Sequence, residues 1–244
     1  MEAWGITDVG IVRSASPNED AYLVKHLGKD SLLAVVCDGM GGANAGEVAS
    51  AIAIDVFRKY FESTGQCESA LKGKEHLTKV IGEANRAVFE ASLKDDELTG
   101  MGTTVVAVIC RDNMAVLANV GDSRGYHITE DGITHITTDH SLVSEMLRKG
   151  EISQIDAHRH PSRNLITRAL GVDPEVLCDT YFCPVKKGDY ILLCSDGLND
   201  QVSEPEIYYE VFESGHPEKA GENLVAVANS RGGSDNITII LIAF

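Results

Sequence analysis

Aspartates in this sequence recur where an apolar run stops and a glycine follows. Residues 32–36 read as a fully buried strand that ends at Cys37-Asp38, and Gly39, Gly41, Gly42 and Gly46 come next. Residues 190–194 form a second such run and lead into Ser195-Asp196-Gly197-Leu198. Gly232-Gly233-Ser234-Asp235-Asn236 opens a third, residues 237–242. A fourth aspartate, Asp122, follows the run 114–118 within Asn119-Val120-Gly121-Asp122-Ser123-Arg124. A lone Asp-Gly after a strand is most often a turn or a helix cap. Repeated at several strand ends, it points to a site for hard cations. A carboxylate at the end of a buried strand is rigidly held, and burying it costs free energy unless it is paired or bound to metal. Oxygen ligands suit Mg²⁺ and Mn²⁺, with Asp38 as a carboxylate ligand and Gly39 as a backbone carbonyl. Converging carboxylates would repel one another without a cation. For Asp122 the simple Gly-Asp turn remains the alternative.

The elements that must position these residues follow from periodicity. Residues 4–10 and 21–27 read as short strands joined by a Ser/Pro/Asn-rich connection, which begins after Arg13 and ends at Glu19-Asp20. Asn44 or Gly46 can open a first helix with Val48, Ile52, Val56 and Tyr60 on its buried stripe. A second helix carries Leu77, Val80, Ile81, Ala84, Val88 and Ala91. Residues 103–110, 114–120, 125–129 and 133–137 read as a β-meander. A short helix over 141–148 precedes a polar, loop-like segment, 149–163, with two histidines. Strands over 176–182 and 190–194, a helix over 204–212, a helix opened by Pro217 and a final strand complete the chain. Strands and helices segregate in this order, so the expected class is α+β with antiparallel sheets.

The chain has 244 residues, enough for a sizeable core, and no linker, repeat or charge block divides it. One domain spanning 1–244 is expected. Its formal net charge of −16 disfavours nucleic acid as a partner. The N-terminal stretch lacks the pattern of a signal peptide, and no window reaches the roughly 18 apolar residues of a membrane span. A cytoplasmic, monomeric protein without membrane insertion is expected. The six cysteines form no CxxC pair, and none sits in a phosphate-cradling loop ending in Arg, which argues against a cysteine-nucleophile phosphatase. Cys37, Cys110 and Cys194 lie in strand runs, where a thiol packs as a small hydrophobe.

Taken in order, DGMGG, GDSR, the run DHSLV to RNLITRALG, CSDGL and GGSDNIT resemble the protein phosphatase 2C-type enzymes, the metal-dependent Ser/Thr phosphatases, and most of all their compact bacterial members. The resemblance extends from Thr7-Asp8-Val9-Gly10 to the last strand. It implies a four-layer α-β-β-α sandwich, two central antiparallel sheets flanked by helix pairs, with metals at one end. It also implies hydrolysis of phosphoserine and phosphothreonine by direct attack of a metal-activated water at a centre of two Mn²⁺ or Mg²⁺ ions. By the same resemblance Asp38 bridges both ions, the Gly39 carbonyl serves one, and Asp196 and Asp235 serve the other. Asp122, with Asp196, would hold a possible third. Glu19 would orient a water on a metal, Asp20 would support from behind, and Arg13 would clamp the phosphoryl group with its guanidinium fork. Residues within about 145–165 correspond to the mobile flap of the family, with Arg163-Asn164 anchoring its base. Phosphorylated proteins would be the substrates and a Ser/Thr kinase the opposing enzyme.

Two departures stand out. The family spacing Arg-x-x-Asn-(Glu/Gln)-Asp is two residues longer here, from Arg13 to Asn18-Glu19-Asp20, so Ser16-Pro17 either bulges out or displaces Arg13. Bacterial members read DGMGGH, with the His a proposed general acid, and Ala43 stands in that place. His140, His158 and His160 remain, each more simply read as a loop or packing residue. A catalytically silent regulatory member is the alternative from another class, and it would be expected to lack a ligand Asp. A phosphatase of small metabolites or phosphotyrosine is a third reading. Asp38-Gly39-Met40 lacks the DxDx(T/V) nucleophile of a haloacid-dehalogenase-type enzyme.

Overall fold

The computed structural model describes residues 1–41, 45–64 and 67–244, with the side chains of 154, 158 and 159 excepted. Eleven strands fall among these residues: β1 Glu2–Asp8, β2 Asp20–His26, β3 Ser31–Met40, β4 Gly102–Thr103, β5 Val105–Arg111, β6 Met114–Val120, β7 Arg124–Thr129, β8 Gly132–His135, β9 Asp179–Pro184, β10 Tyr190–Cys194 and β11 Ile237–Ala243. The helices are α1 Ala45–Thr64, α2 Ala70–Ser92, α3 Leu142–Lys149, α4 Gln154–Arg159, α5 Asp196–Asn199, α6 Glu204–Ser214 and α7 Pro217–Ser230.

The strands form two antiparallel sheets, one ordered β1-β11-β10-β7-β8 and the other β2-β3-β5-β6-β9, with β4 paired to β3. Alternation along β3 explains why it is apolar throughout. Leu33, Val35 and Cys37 face the core beneath α1 and α2, whereas Leu32, Ala34 and Val36 face the core between the sheets. A third core lies under α6 and α7, where Leu224 and Ala228 meet Ile239 and Leu241 of β11. Helices, sheet, sheet and helices thus make the expected four layers. Cys37, Cys110 and Cys194 are buried, and all six cysteines are free thiols. No helix of the described residues is long and apolar enough to cross a membrane.

Three expectations need correction. The stretch from 103 to 137 is not one meander: β5 and β6 belong to one sheet, β7 and β8 to the other. The chain changes sheets at Gly121-Asp122-Ser123, where Gly121 has φ +110°, a conformation that suits glycine. The segment 149–163 is not only loop, because α4 forms within it behind the Ser153 cap, whose side chain accepts the Asp156 N–H. The strand expected at 176–182 lies instead at Asp179–Pro184. The first helix begins at Ala45, so Gly46, one of the two residues proposed to open it, is its second residue, and the other, Asn44, lies outside the described residues with Gly42 and Ala43.

Candidate active site

The strand ends converge at one end of the sandwich. Asp38 on β3 pairs directly with Asp20 on β2, which puts both side chains on the same face. The Asp38 backbone is held on both sides: its N–H donates to Thr104 Oγ1 at 3.0 Å, and its carbonyl accepts the Thr104 N–H at 2.8 Å and the Thr103 hydroxyl at 2.9 Å. From the other sheet, the Ser195 hydroxyl donates to Asp20 Oδ2 at 2.7 Å and accepts the Thr238 N–H at 2.9 Å. That buried bridge staples the sheets together where the acidic residues meet. Asn236 adds a second staple, its Oδ1 accepting the Glu19 N–H at 2.8 Å and its Nδ2 donating to the Val9 carbonyl at 2.9 Å. Spacing alone did not single out Asn236 for this work.

The glycine after each aspartate has a steric reason. A Cβ on Gly39 would lie 2.0 Å from the Gly46 carbonyl oxygen and 2.6 Å from that of Glu19. A Cβ on Gly197 would lie 2.1 Å from the Asn236 carbonyl oxygen. Backbones cross so closely behind the acidic residues that only hydrogen fits.

Charge is concentrated here without compensation among the acids. Burial, and then the charges of Asp20, Asp196, Asp122 and Asp235, push the Asp38 carboxyl well above the ordinary range. Asp196 is raised in the same way, by burial and by Asp122, Asp235, Asp200 and Asp20. Burial raises Asp122 to about 7, aided by Asp139, and raises Asp20 to about 6 despite hydrogen bonds from Thr238 and Ser195. Asp20 Oδ1 and Asp122 Oδ1 are buried without a hydrogen-bond partner. Oxygen-only ligands, mutual repulsion and unpartnered carboxylate oxygens fit a site for hard divalent cations. Among the described residues, no three acidic, imidazole or thiol side chains are already closed into a ligand set. Asp235 and Glu19 instead hold Arg13.

The comparisons with known proteins agree with one another. A family model described as protein phosphatase 2C matches residues 10–227. The serine/threonine phosphatase stp of Listeria innocua is 42% identical over 244 residues, covering 99% of this chain and 95% of its own. This chain belongs to the protein phosphatase 2C family. The crystal structure of serine/threonine phosphatase Stp1 from Staphylococcus aureus superposes with a TM-score of 0.94 at 37% identity, covering 100% of this chain and 94% of that one. The Mycobacterium tuberculosis serine/threonine phosphatase PstP/Ppp superposes with a TM-score of 0.87 at 33% identity, over 98% and 97% of the two chains.

Against this protein phosphatase 2C background, the longer connection after Arg13 closes on itself. The Ser16 N–H donates to the Arg13 carbonyl at 2.8 Å, and the guanidinium reaches Glu19 and Asp235. Although burial works against it, those two carboxylates strengthen the arginine's charge. Beside the acidic cluster lies a cavity of about 630 Å³, walled on one side by the segment carrying α3 and α4 and on the other by α5 and the start of α6. Asp122 and Asp196 line it together with Asp200, a residue the sequence reading missed. The signal was present in Ser195-Asp196-Gly197-Leu198-Asn199-Asp200, where two acids four apart fall on one face of a helical turn. Arg163 and Asn164 line the same cavity, with Arg163 Nη2 3.6 Å from Asp200 Oδ2. His160 Nδ1 accepts the Ser162 N–H at 3.2 Å, a turn contact. His140 is buried, with both ring nitrogens engaged.

Proposed function

We propose that this chain is a divalent-metal-dependent phosphoprotein phosphatase that hydrolyses phosphoserine and phosphothreonine and opposes a Ser/Thr protein kinase. The observation that carries the reading is the convergence of Asp38, Asp196, Asp122 and Asp20 from both sheets into one mutually repelling cluster beside Arg13. Asp38, the Gly39 carbonyl, Asp196 and Asp235 would hold two Mn²⁺ or Mg²⁺ ions, and Asp122, Asp196 and Asp200 a possible third. Bound there, such ions supply Lewis-acid neutralisation of phosphoryl oxygens and an acidified water at neutral pH.

The protein's own residues do the rest. Arg13 offers a two-pronged fork to the phosphoryl oxygens, and a phosphate dianion competes with Asp235 and Glu19 for it. Glu19, which holds Arg13 in this structure, would orient a water for attack. Asp20, tied to Ser195, joins the start of β2 to the end of β10 across the two sheets, next to the strand ends that carry Asp38 and Asp196. The cavity beneath α3 and α4 receives polypeptide flanking the phosphorylated residue.

A phosphopeptide assay with added Mn²⁺ or Mg²⁺ and with a chelator tests this reading. Phosphoserine and phosphothreonine peptides should turn over only with metal. Undiminished hydrolysis in excess chelator, or activity confined to phosphotyrosine or small metabolites, would overturn it.

A further inference from the structure

Among the described residues, His140 sits within a hydrogen-bond chain that engages both of its ring nitrogens. Its Nδ1 accepts the Gly121 N–H at 3.0 Å, while its own N–H donates to the Gly121 carbonyl at 2.9 Å. His140 therefore grips Gly121 at both of its backbone polar groups, and the Asn119 side-chain amide adds a second donor to the carbonyl at 3.1 Å. An Nδ1 that accepts carries no proton, so the ring proton sits on Nε2, which donates to Asp179 Oδ2 at 3.0 Å. Asp179 Oδ1 accepts in turn from Arg168 Nη1 at 3.2 Å, and the same nitrogen donates to the Leu177 carbonyl at 3.0 Å. Arg168 belongs to the segment that closes the flap, and the Thr167 N–H donates to the His140 carbonyl at 2.8 Å.

The residue gripped is the one that needs it. Gly121 lies at φ +110°, where the chain leaves one sheet for the other, and glycine has the most backbone freedom to lose there. The next residue is Asp122, whose Oδ1 is buried and has no hydrogen-bond partner to aim it. What directs that carboxylate is the backbone in front of it. We propose that His140 is a positioning residue of this enzyme: by clamping Gly121 in the neutral tautomer set by Asp179, it aims the Asp122 carboxylate at the third cation of the centre. The inference rests on the metal-dependent reading given above. It assigns His140 no proton transfer to substrate, because neither ring nitrogen is free for it.

Supporting residues of this kind usually change metal affinity about 10–100-fold when lost. The test is calorimetric Mn²⁺ titration of the full chain, with hydrogen exchange at the Gly121 amide as a readout that needs no metal. His140→Ala should weaken the weakest Mn²⁺ site about tenfold or more, leave the tight sites within twofold, and deprotect the Gly121 amide. His140→Asn should restore most of both, since Asn Oδ1 can stand in for Nδ1. Asp179→Ala, which frees the ring but keeps it, should fall between; it and His140→Asn carry the test if His140→Ala does not fold. A protected Gly121 amide in His140→Ala, or equal loss at all Mn²⁺ sites, would overturn the proposal. So would equal impairment in the Ala and Asn variants. Three Mn²⁺ sites in the wild type with an unaffected weak site in His140→Ala overturns this inference alone. A wild type that binds no Mn²⁺ overturns the metal-dependent reading with it.

Discussion

Single side chains divide here into those that gather charge and those that oppose it, Arg13 among the latter. Replacing Asp38 by Asn removes a carboxylate that faces Asp20 and is repelled by Asp196, Asp122 and Asp235. Turnover of phosphopeptides should fall by on the order of 10²-fold or more, because electrostatic stabilisation is usually the largest part of such catalysis. Melting of the chelated protein should not be lowered, since one of several mutually repelling charges has gone. A folded Asp38→Asn protein with near-normal kcat would contradict the assignment. Arg13→Ala should act on binding instead. Hydrogen bonds to charged groups contribute about 1.5–3 kcal/mol, so KM for phosphopeptides and the inhibition constant of inorganic phosphate should each rise about tenfold or more. Unchanged constants would mean that Arg13 serves only to hold Glu19 and Asp235.

Elements meet at the site through glycine contacts, and these explain why Asp-Gly recurs. The end of β3 passes the start of α1 at Gly39 and Gly46, and α5 passes the start of β11 at Gly197 and Asn236. In both places a methyl group would overlap a backbone carbonyl oxygen, which cannot rotate away as a side chain would. Gly39→Ala and Gly197→Ala should each cost about 1–3 kcal/mol of unfolding free energy, the usual range for overpacking, and occasionally more. Gly82→Ala, on the exposed face of α2 with open space around its Cβ, should instead be neutral or stabilising. Denaturant melts of the three variants compare them directly. Equal stabilities would mean that the crossings are slacker than these distances say.

For the molecule as a whole, the acidic centre sets how stability varies with pH. Asp122 and Asp20 have folded-state values of about 7 and about 6, both raised from 3.8. Between about pH 4 and pH 7 the folded protein therefore binds protons that the unfolded chain has released, and stability falls as pH rises through that window. Asp179, lowered from 3.8 beside His140 and Arg168, works in the opposite sense at lower pH. Within the window His135, which burial lowers to about 4, and His140, also lowered by burial, work in that same opposing sense. Asp38 and Asp196, both raised, side with Asp122 and Asp20 against them. In a chelator, Tm should decline from pH 5 to pH 7.5, and saturating Mn²⁺ should flatten or reverse the decline by binding the ionised carboxylates. Asp122→Asn should shrink the decline in the chelator. A Tm that rises steadily across the window without metal would contradict this account.

Much of the site was legible because each part is local: an apolar run, an aspartate, a glycine. Such a pattern marks a strand end, and its repetition made Asp38, Asp196, Asp235 and Asp122 candidates together where one alone would have read as a turn. The order of the motifs carried the family, and through it the four-layer sandwich. The sheet change at Gly121 was hidden, because strand periodicity is the same whichever sheet a strand joins. Asp200 was overlooked although its spacing of four from Asp196 was on view, and α4 was hidden in a segment that looked polar throughout. The hold on Gly121 needed His140 together with Arg168 and Asp179, which lie 28 and 39 residues from it in sequence and meet it only after folding. Residue types and local spacing decided which chemistry was available. Only the packing of two sheets against each other decided which of those groups share a field and which partners hold them, because charge repulsion and hydrogen bonding depend on distances that the order of residues does not contain.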